Sequence, residues 1–228
     1  MKKLILALLV STTTFAQNIT PKEVLEKYFS AIGGRENMDK VKSLYAVSTT
    51  SVMGQEIEAV ENKKAPNKYS SVVDQNGVEM AKVIFDGSKA FVSQMGQSQT
   101  LEGDAAKTLL TQALIFPELM YADEGITLES TTNEKAGDED CYVILVKGIP
   151  GLNSIKEFYS VASGLKLKQE IESQTGVVSI HYKDYKDQGS GIKMANTLIQ
   201  EAMGMTIEKQ YTTLQINAEI PDSAFEIK

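Results

Sequence analysis

The sequence predicts a mainly β, α+β fold: an antiparallel meander of hairpins with an N-terminal helix and a central helix. Three observations carry the antiparallel meander. Beyond Leu44 the hydrophobic period changes from helical to two. Turn signals recur at Gly54-Gln55, Asn76-Gly77, Asp86-Gly87, Gly96-Gln97, Ser163-Gly164 and Gln174-Thr175-Gly176. Helical stripes are confined to residues 20–41 and 104–116.

The first helix is the clearest element. Thr20-Pro21-Lys22-Glu23 combines an N-cap hydroxyl, a proline at the first helical position and a capping-box glutamate. Val24, Leu25, Tyr28, Phe29 and Ile32 follow at helical spacing up to the Gly33-Gly34 stop. A short second helix is expected over Glu36 to Val41, with Met38 and Val41 inward. The central helix is expected from Asp104 to Phe116, with Ala106, Leu109, Leu110, Ala113 and Leu114 in one stripe and Pro117 ending it.

Hairpin register follows from the constant sum of opposed residue numbers. A loop at Ala162-Ser163-Gly164 pairs Val161 with Leu165, Tyr159 with Leu167 and Ile155 with Ile171, and sets Lys156 against Glu170 and Phe158 against Lys168. The next hairpin pairs Ile171 with Val178, Gln169 with Ile180 and Leu167 with Tyr182. One face is then apolar across three strands, and Lys166, Lys168, Glu170 and His181 lie on the other. Upstream, Val73 is set against Met80, Tyr69 against Ile84 and Val52 against Ile57. Such a face needs cover, which a sandwich, a barrel or a curled sheet roofed by helices would each supply.

Lys2 and Lys3 followed by an apolar run from Leu4 to Val10 and by Thr14-Phe15-Ala16 read as a signal peptide over residues 1–16. Residues 17–228 are then expected to form a single exported, soluble domain. No cysteine follows the apolar run, so no acyl anchor of a bacterial lipoprotein is expected, and no later stretch is long enough to span a membrane. Without Lys2 and Lys3 the 23 basic residues become 21 against 30 acidic ones, net −9, which argues against nucleic acid and anionic membranes as partners.

The sequence offers no catalytic constellation. His181, the single histidine, is read as an exposed strand residue, and no G-x-S-x-G motif presents a serine to it. Cys141 is read as a buried strand residue. One histidine, one cysteine and dispersed carboxylates give no metal-ligand spacing, and Gly33-Gly34 follows a helix instead of cradling a phosphate, so neither metal nor cofactor is expected. Methionine is the unusual feature: Met53, Met95 and Met203 each precede a glycine, with Met194 and Met205 nearby. Flexible thioethers fill cores, and they also suit adaptable apolar openings.

In layout and short motifs the chain resembles the periplasmic lipoprotein carrier and acceptor superfamily of the outer-membrane lipoprotein localisation pathway. The likeness rests on Ala31-Ile32-Gly33-Gly34, Val41-Lys42-Ser43-Leu44, Lys64-Ala65-Pro66-Asn67-Lys68-Tyr69, Phe85-Asp86-Gly87 and a tail reading Asn217-Ala218-Glu219-Ile220-Pro221-Asp222-Ser223-Ala224-Phe225, in that order. It implies a strongly curved antiparallel sheet forming a half-barrel, with the N-terminal and central helices covering its concave face, a cavity there for lipid, lipoprotein acyl chains or another hydrophobic small molecule, and a location in the periplasm of a Gram-negative bacterium. Residues expected to line the cavity are Phe85, Leu109, Leu110, Leu114, Tyr159, Leu165, Leu167, Ile171, Val178, Ile180, Tyr182 and Met194. The carrier uses a buried arginine near its cavity; the single arginine here, Arg35, sits between the first two helices and takes no such role. The alternative is an interaction module of a cell-envelope assembly, with a filled core and an envelope protein as partner.

Overall fold

The computed structural model describes residues 19–52, 54–173 and 176–227. The expected leader and Met53 lie outside them. Helix α1 (Pro21–Ile32) is capped as its sequence predicts: the Glu23 backbone N–H donates to Thr20 Oγ1 at 3.3 Å, and the Thr20 N–H donates to the Glu23 carboxylate at 2.8 Å. Such a cap is worth about 0.5–2 kcal/mol. Its face of Val24, Leu25, Tyr28, Phe29 and Ile32 is buried, and each large side chain contributes roughly 1.5–3 kcal/mol. Gly33, at φ 131, ends it, and α2 (Arg35–Met38) follows, shorter than expected but with Met38 and Val41 buried.

Six strands come next: β1 (Ser43–Val52), β2 (Gln55–Lys64), β3 (Lys68–Gln75), β4 (Val78–Phe85), β5 (Ala90–Gln94) and β6 (Gln97–Leu101). A strap crosses over through α3 (Asp104–Lys107), α4 (Leu110–Ala113) and a 3-10 turn, Pro117–Ala122. The second strand run is β7 (Thr127–Ser130), β8 (Glu134–Ala136), β9 (Glu139–Lys147), β10 (Ser154–Ser160), β11 (Lys166–Ser173), β12 (Gly176–Asp187), β13 (Lys193–Ala202) and β14 (Met205–Ile216). All pair antiparallel in one sheet, ordered β6-β5-β4-β3-β2-β1-β14-β13-β12-β11-β10-β9-β7, with β8 beside β9. The β1–β14 pairing joins the two meanders, and the ends at β6 and β7 do not close. The expected half-barrel is therefore the fold. Asp222–Phe225 forms a 3-10 turn that anchors the tail, with Lys64 and Lys68 both on Asp222.

Local irregularities correct the register. Ile155↔Ile171, Lys156↔Glu170, Phe158↔Lys168, Ile171↔Val178 and Gln169↔Ile180 pair as expected. Tyr159, however, pairs with Lys166 instead of Leu167, because a bulge intervenes after Phe158. Leu167 packs instead with Cys141, Val143 and Phe158 on the convex face, and Lys166 turns inward. A second shift between Val73 and Asp74 sets Tyr69 against Phe85 and Val73 against Ala81. Val52 pairs with Gln55, which leaves Ile57 opposite Thr50. The first two shifts follow one rule, in that one extra residue in one strand changes the sum on which the arithmetic rests, whereas the β1–β2 register is unbroken and differs only in where the hairpin closes.

The central helix also differs. The sequence stripe is continuous from 104 to 116, but the backbone breaks at Thr108-Leu109, where Leu109 sits at φ −87, ψ −5, and the Thr108 hydroxyl donates to Ala105 O at 2.7 Å. A hydroxyl satisfying a helix carbonyl competes with the regular ladder. The result is two single turns and a strap that follows the curve of the sheet.

Among the described residues, three two-residue tips carry a residue at positive φ before glycine: Asn76 at 55, Met95 at 48 and Met203 at 52. Asparagine suits that conformation, whereas a methionine there costs about 1–2 kcal/mol. Gly164, at φ 74, is positive as the hairpin requires, and a Cβ there would lie 3.1 Å from Lys27 O. Gly164→Val is expected to destabilise the protein by roughly 1–3 kcal/mol in chemical denaturation, through strain and displacement of α1.

Candidate functional site

The strap defines the inner face of the sheet. Ala106 and Ala113, fully covered, pack on Tyr69, Phe85 and Ala90 of β3–β5, with Leu109 and Leu110 at the margin. Further along, Phe116, Met120 and Tyr121 join α1, β9 and β10 in the largest core cluster. Strand alternation carries this face outward from the strap. Ile57, Val73, Ala81 and Val92 in one half and Val178, Ile180, Leu198 and Ile207 in the other share it, half-buried and outside the packed clusters. The sheet thus forms a trough, roofed at the strap end.

A buried ionic network ties roof to floor. Lys166 Nζ of β11 pairs with Glu118 of the strap and lies 3.2 Å from Glu157 Oε1 of β10; all three side chains are almost fully buried. Tyr121 OH donates to Glu157 Oε1 at 2.9 Å, Tyr159 OH donates to Glu157 Oε2, and Tyr182 presents its ring 4.8 Å from the ammonium. Tyr185 OH donates to the Lys166 carbonyl at 2.8 Å. Burial pushes the Glu157 carboxyl up, Lys166 pulls it down, and Glu118 pushes it up again. Burial opposes the charge on Lys166, yet the two carboxylates hold its pKa well above the ordinary lysine range. Every charge here has a partner, which is the condition for tolerating burial.

Two more cations line the roofed end. Lys209 of β14 pairs with Glu61 of β2. Lys63 of β2 donates to the Leu114 carbonyl of the strap at 3.0 Å, and burial lowers its pKa from 10.5 to about 8. The strap is therefore fastened to the sheet twice, by Lys63 and by Lys166.

Beside the strap, α2 and the β2–β3 turn bound a cleft of about 570 Å³, lined by Met38, Val41, Pro66, Leu110, Leu114 and Met120 among others. Of the residues expected to line a cavity, Leu110 and Leu114 border this cleft, while Phe85 and Leu109 pack under the strap. Tyr159, Leu165, Ile171 and Met194 belong to or pack against the main cluster. Val178, Ile180 and Tyr182 face the trough, and Leu167 is on the opposite side. His181 pairs with Lys168 on the convex side, its Nε2 3.8 Å from Glu201. Arg35 is outside the trough, bound to Glu26 at 2.7 Å and stacked on Phe29 at 4.2 Å.

Sequence reasoning missed Glu118, Glu157, Lys166 and Lys63. A signal for Glu157 was present: it alternates between Ile155 and Tyr159, so it shares their buried face and requires a cation.

No family model matches the chain, and no curated protein matches it. Solved structures do. A LolA superfamily protein from Nitrosomonas europaea is 15% identical with a TM-score of 0.62, over 92% of this chain and 98% of that one. A DUF1329 family protein from Desulfovibrio piger gives 11% and 0.58, over 90% and 96%. A putative outer membrane lipoprotein-sorting protein domain from Vibrio parahaemolyticus gives 12% and 0.55, over 88% and 96%. The chain has the LolA-like fold. No helix among the described residues is long and apolar enough to cross a membrane.

Proposed function

We propose that the protein is a periplasmic binding protein for lipid, the acyl chains of lipoproteins or another apolar small molecule, held along the trough without chemical conversion. The observation that carries this reading is a curved apolar sheet face that the strap roofs at one end only, with a cleft of about 570 Å³ opening at that end. Filling the trough with hydrocarbon removes half-buried apolar surface from water at roughly 25 cal/mol per Å². The similarity to a LolA superfamily protein and to a lipoprotein-sorting domain supports the same ligand class. The signal-peptide pattern at residues 1–16 supports export, and residues 17–228 act as one domain in this reading.

Leu110 serves as the test position because it is only partly buried and borders the cleft. Leu110→Asp is expected to weaken binding of a fluorescent fatty-acyl probe about tenfold or more, since the carboxylate must be desolvated against the chain. Thermal stability, measured in parallel, is expected to change little. Lost stability with unchanged probe affinity would show that Leu110 serves only packing.

A further inference from the structure

Five hairpin ends, closed by Val52↔Gln55, Gln75↔Val78, Gln94↔Gln97, Ser173↔Gly176 and Ala202↔Met205, lie on one rim of the sheet, because their strands alternate in direction across it. This rim concentrates exposed apolar side chains: Val78 is 60% exposed, Met95 76%, Val177 56%, Met203 82% and Met205 57%. Among the described residues the other large exposed apolar one, Val161, lies at the β10–β11 turn on the opposite rim.

Two features say what such a rim meets. Met95 and Met203 hold left-handed conformations, although neighbouring Asn76-Gly77 closes the same kind of turn with a residue suited to it. Stability is thus given up to keep thioethers at the tips, and a side chain that breaks a local rule points to function. The five hairpin ends are also acidic, while Lys147 at the β9–β10 connection on the same rim is paired with Glu129. Segments 51–57, 74–80, 93–98, 172–179 and 201–206 contain Glu56, Asp74, Glu79, Glu172 and Glu201 but no lysine or arginine.

We infer that this rim is a docking surface for a protein segment that presents apolar side chains together with lysine or arginine. Methionine adapts to varied apolar partners, and the carboxylates supply steering and orientation. An anionic lipid surface would be repelled by the same carboxylates. The inference does not depend on what the trough holds.

The test uses a helical leucine–lysine peptide, a leucine–glutamate counterpart and phosphatidylglycerol vesicles, against the wild type and Met95→Asn/Met203→Asn/Met205→Ser. The wild type should bind the basic peptide and neither of the other probes, and the triple variant should bind it about tenfold or more weakly. Replacing methionine by asparagine at the two turns should meanwhile raise Tm by about 2–4 °C per turn, which excludes unfolding as the cause of lost binding. Equal binding by the variant, equal binding of both peptides, or vesicle binding that the variant loses would each overturn the inference.

Discussion

Lys166→Met is expected to destabilise the protein by about 3–5 kcal/mol, because it leaves Glu118 and Glu157 buried side by side without their cation. Urea denaturation at neutral pH measures the loss. The same substitution combined with Glu118→Gln and Glu157→Gln removes the charges altogether and is expected to recover much of the stability, since an apolar or neutral replacement avoids the desolvation of ions. The pH dependence has a definite sign. Burial raises Glu157 above the ordinary carboxyl range, so the folded state binds its proton more readily than the unfolded state does. That contribution makes stability grow as pH falls from the raised folded value toward the unfolded one. Without Lys166 the raised interval widens upward, so the deficit of Lys166→Met is expected to shrink between pH 7 and pH 5. A deficit unchanged across that range would show that the lost interaction is packing instead of charge.

Gly33→Val is the second large effect, expected at about 3–5 kcal/mol. Gly33 ends α1 at φ 131, and a Cβ there would stand 2.3 Å from the Gly191 carbonyl oxygen, 3.1 Å from its carbonyl carbon and 3.1 Å from Ile192 Cδ1. The obstacle is backbone of the β12–β13 turn, so no side-chain rotation relieves it. Relief requires α1 to withdraw from that turn, which uncovers Phe29 and Ile32, both essentially inaccessible to water. Denaturation of Gly33→Val beside Gly34→Ala separates the causes. Gly34 also has positive φ, 84, but its Cβ would meet open space, so it reports strain alone and is expected to cost less.

Much of this architecture was legible because local and tertiary signals agreed. In α1 the capping box, Pro21 and the stripe from Val24 to Ile32 all name the same boundaries. The β11–β12 register held because turn position and side-chain alternation coincide from Gln169 to Glu172. The inward turn of Lys166 was not legible: a single bulge after Phe158 moves it onto the buried face, and no glycine or proline marks the place. The break at Thr108 escaped for a related reason, since an uninterrupted apolar stripe is equally compatible with one helix or with two turns laid along a curved surface. Of the candidate site, the leucines of the strap and the apolar residues of β11 and β12 were visible as an apolar face. The lysines that fasten the strap were not, because a lysine at an inward strand position looks like a solvated one until its carboxylate partner is placed.

Apolar-ligand binding along the trough can be read from the purified protein itself. Mass spectrometry of organic extracts from the purified protein, prepared natively without detergent, tests it most directly. The expected result is one reproducible class of lipid or acyl-bearing molecule in near-equimolar amount, depleted in Leu110→Asp. Extracts with no reproducible ligand, from protein that also fails to take up a fatty-acyl probe after extraction, would contradict it.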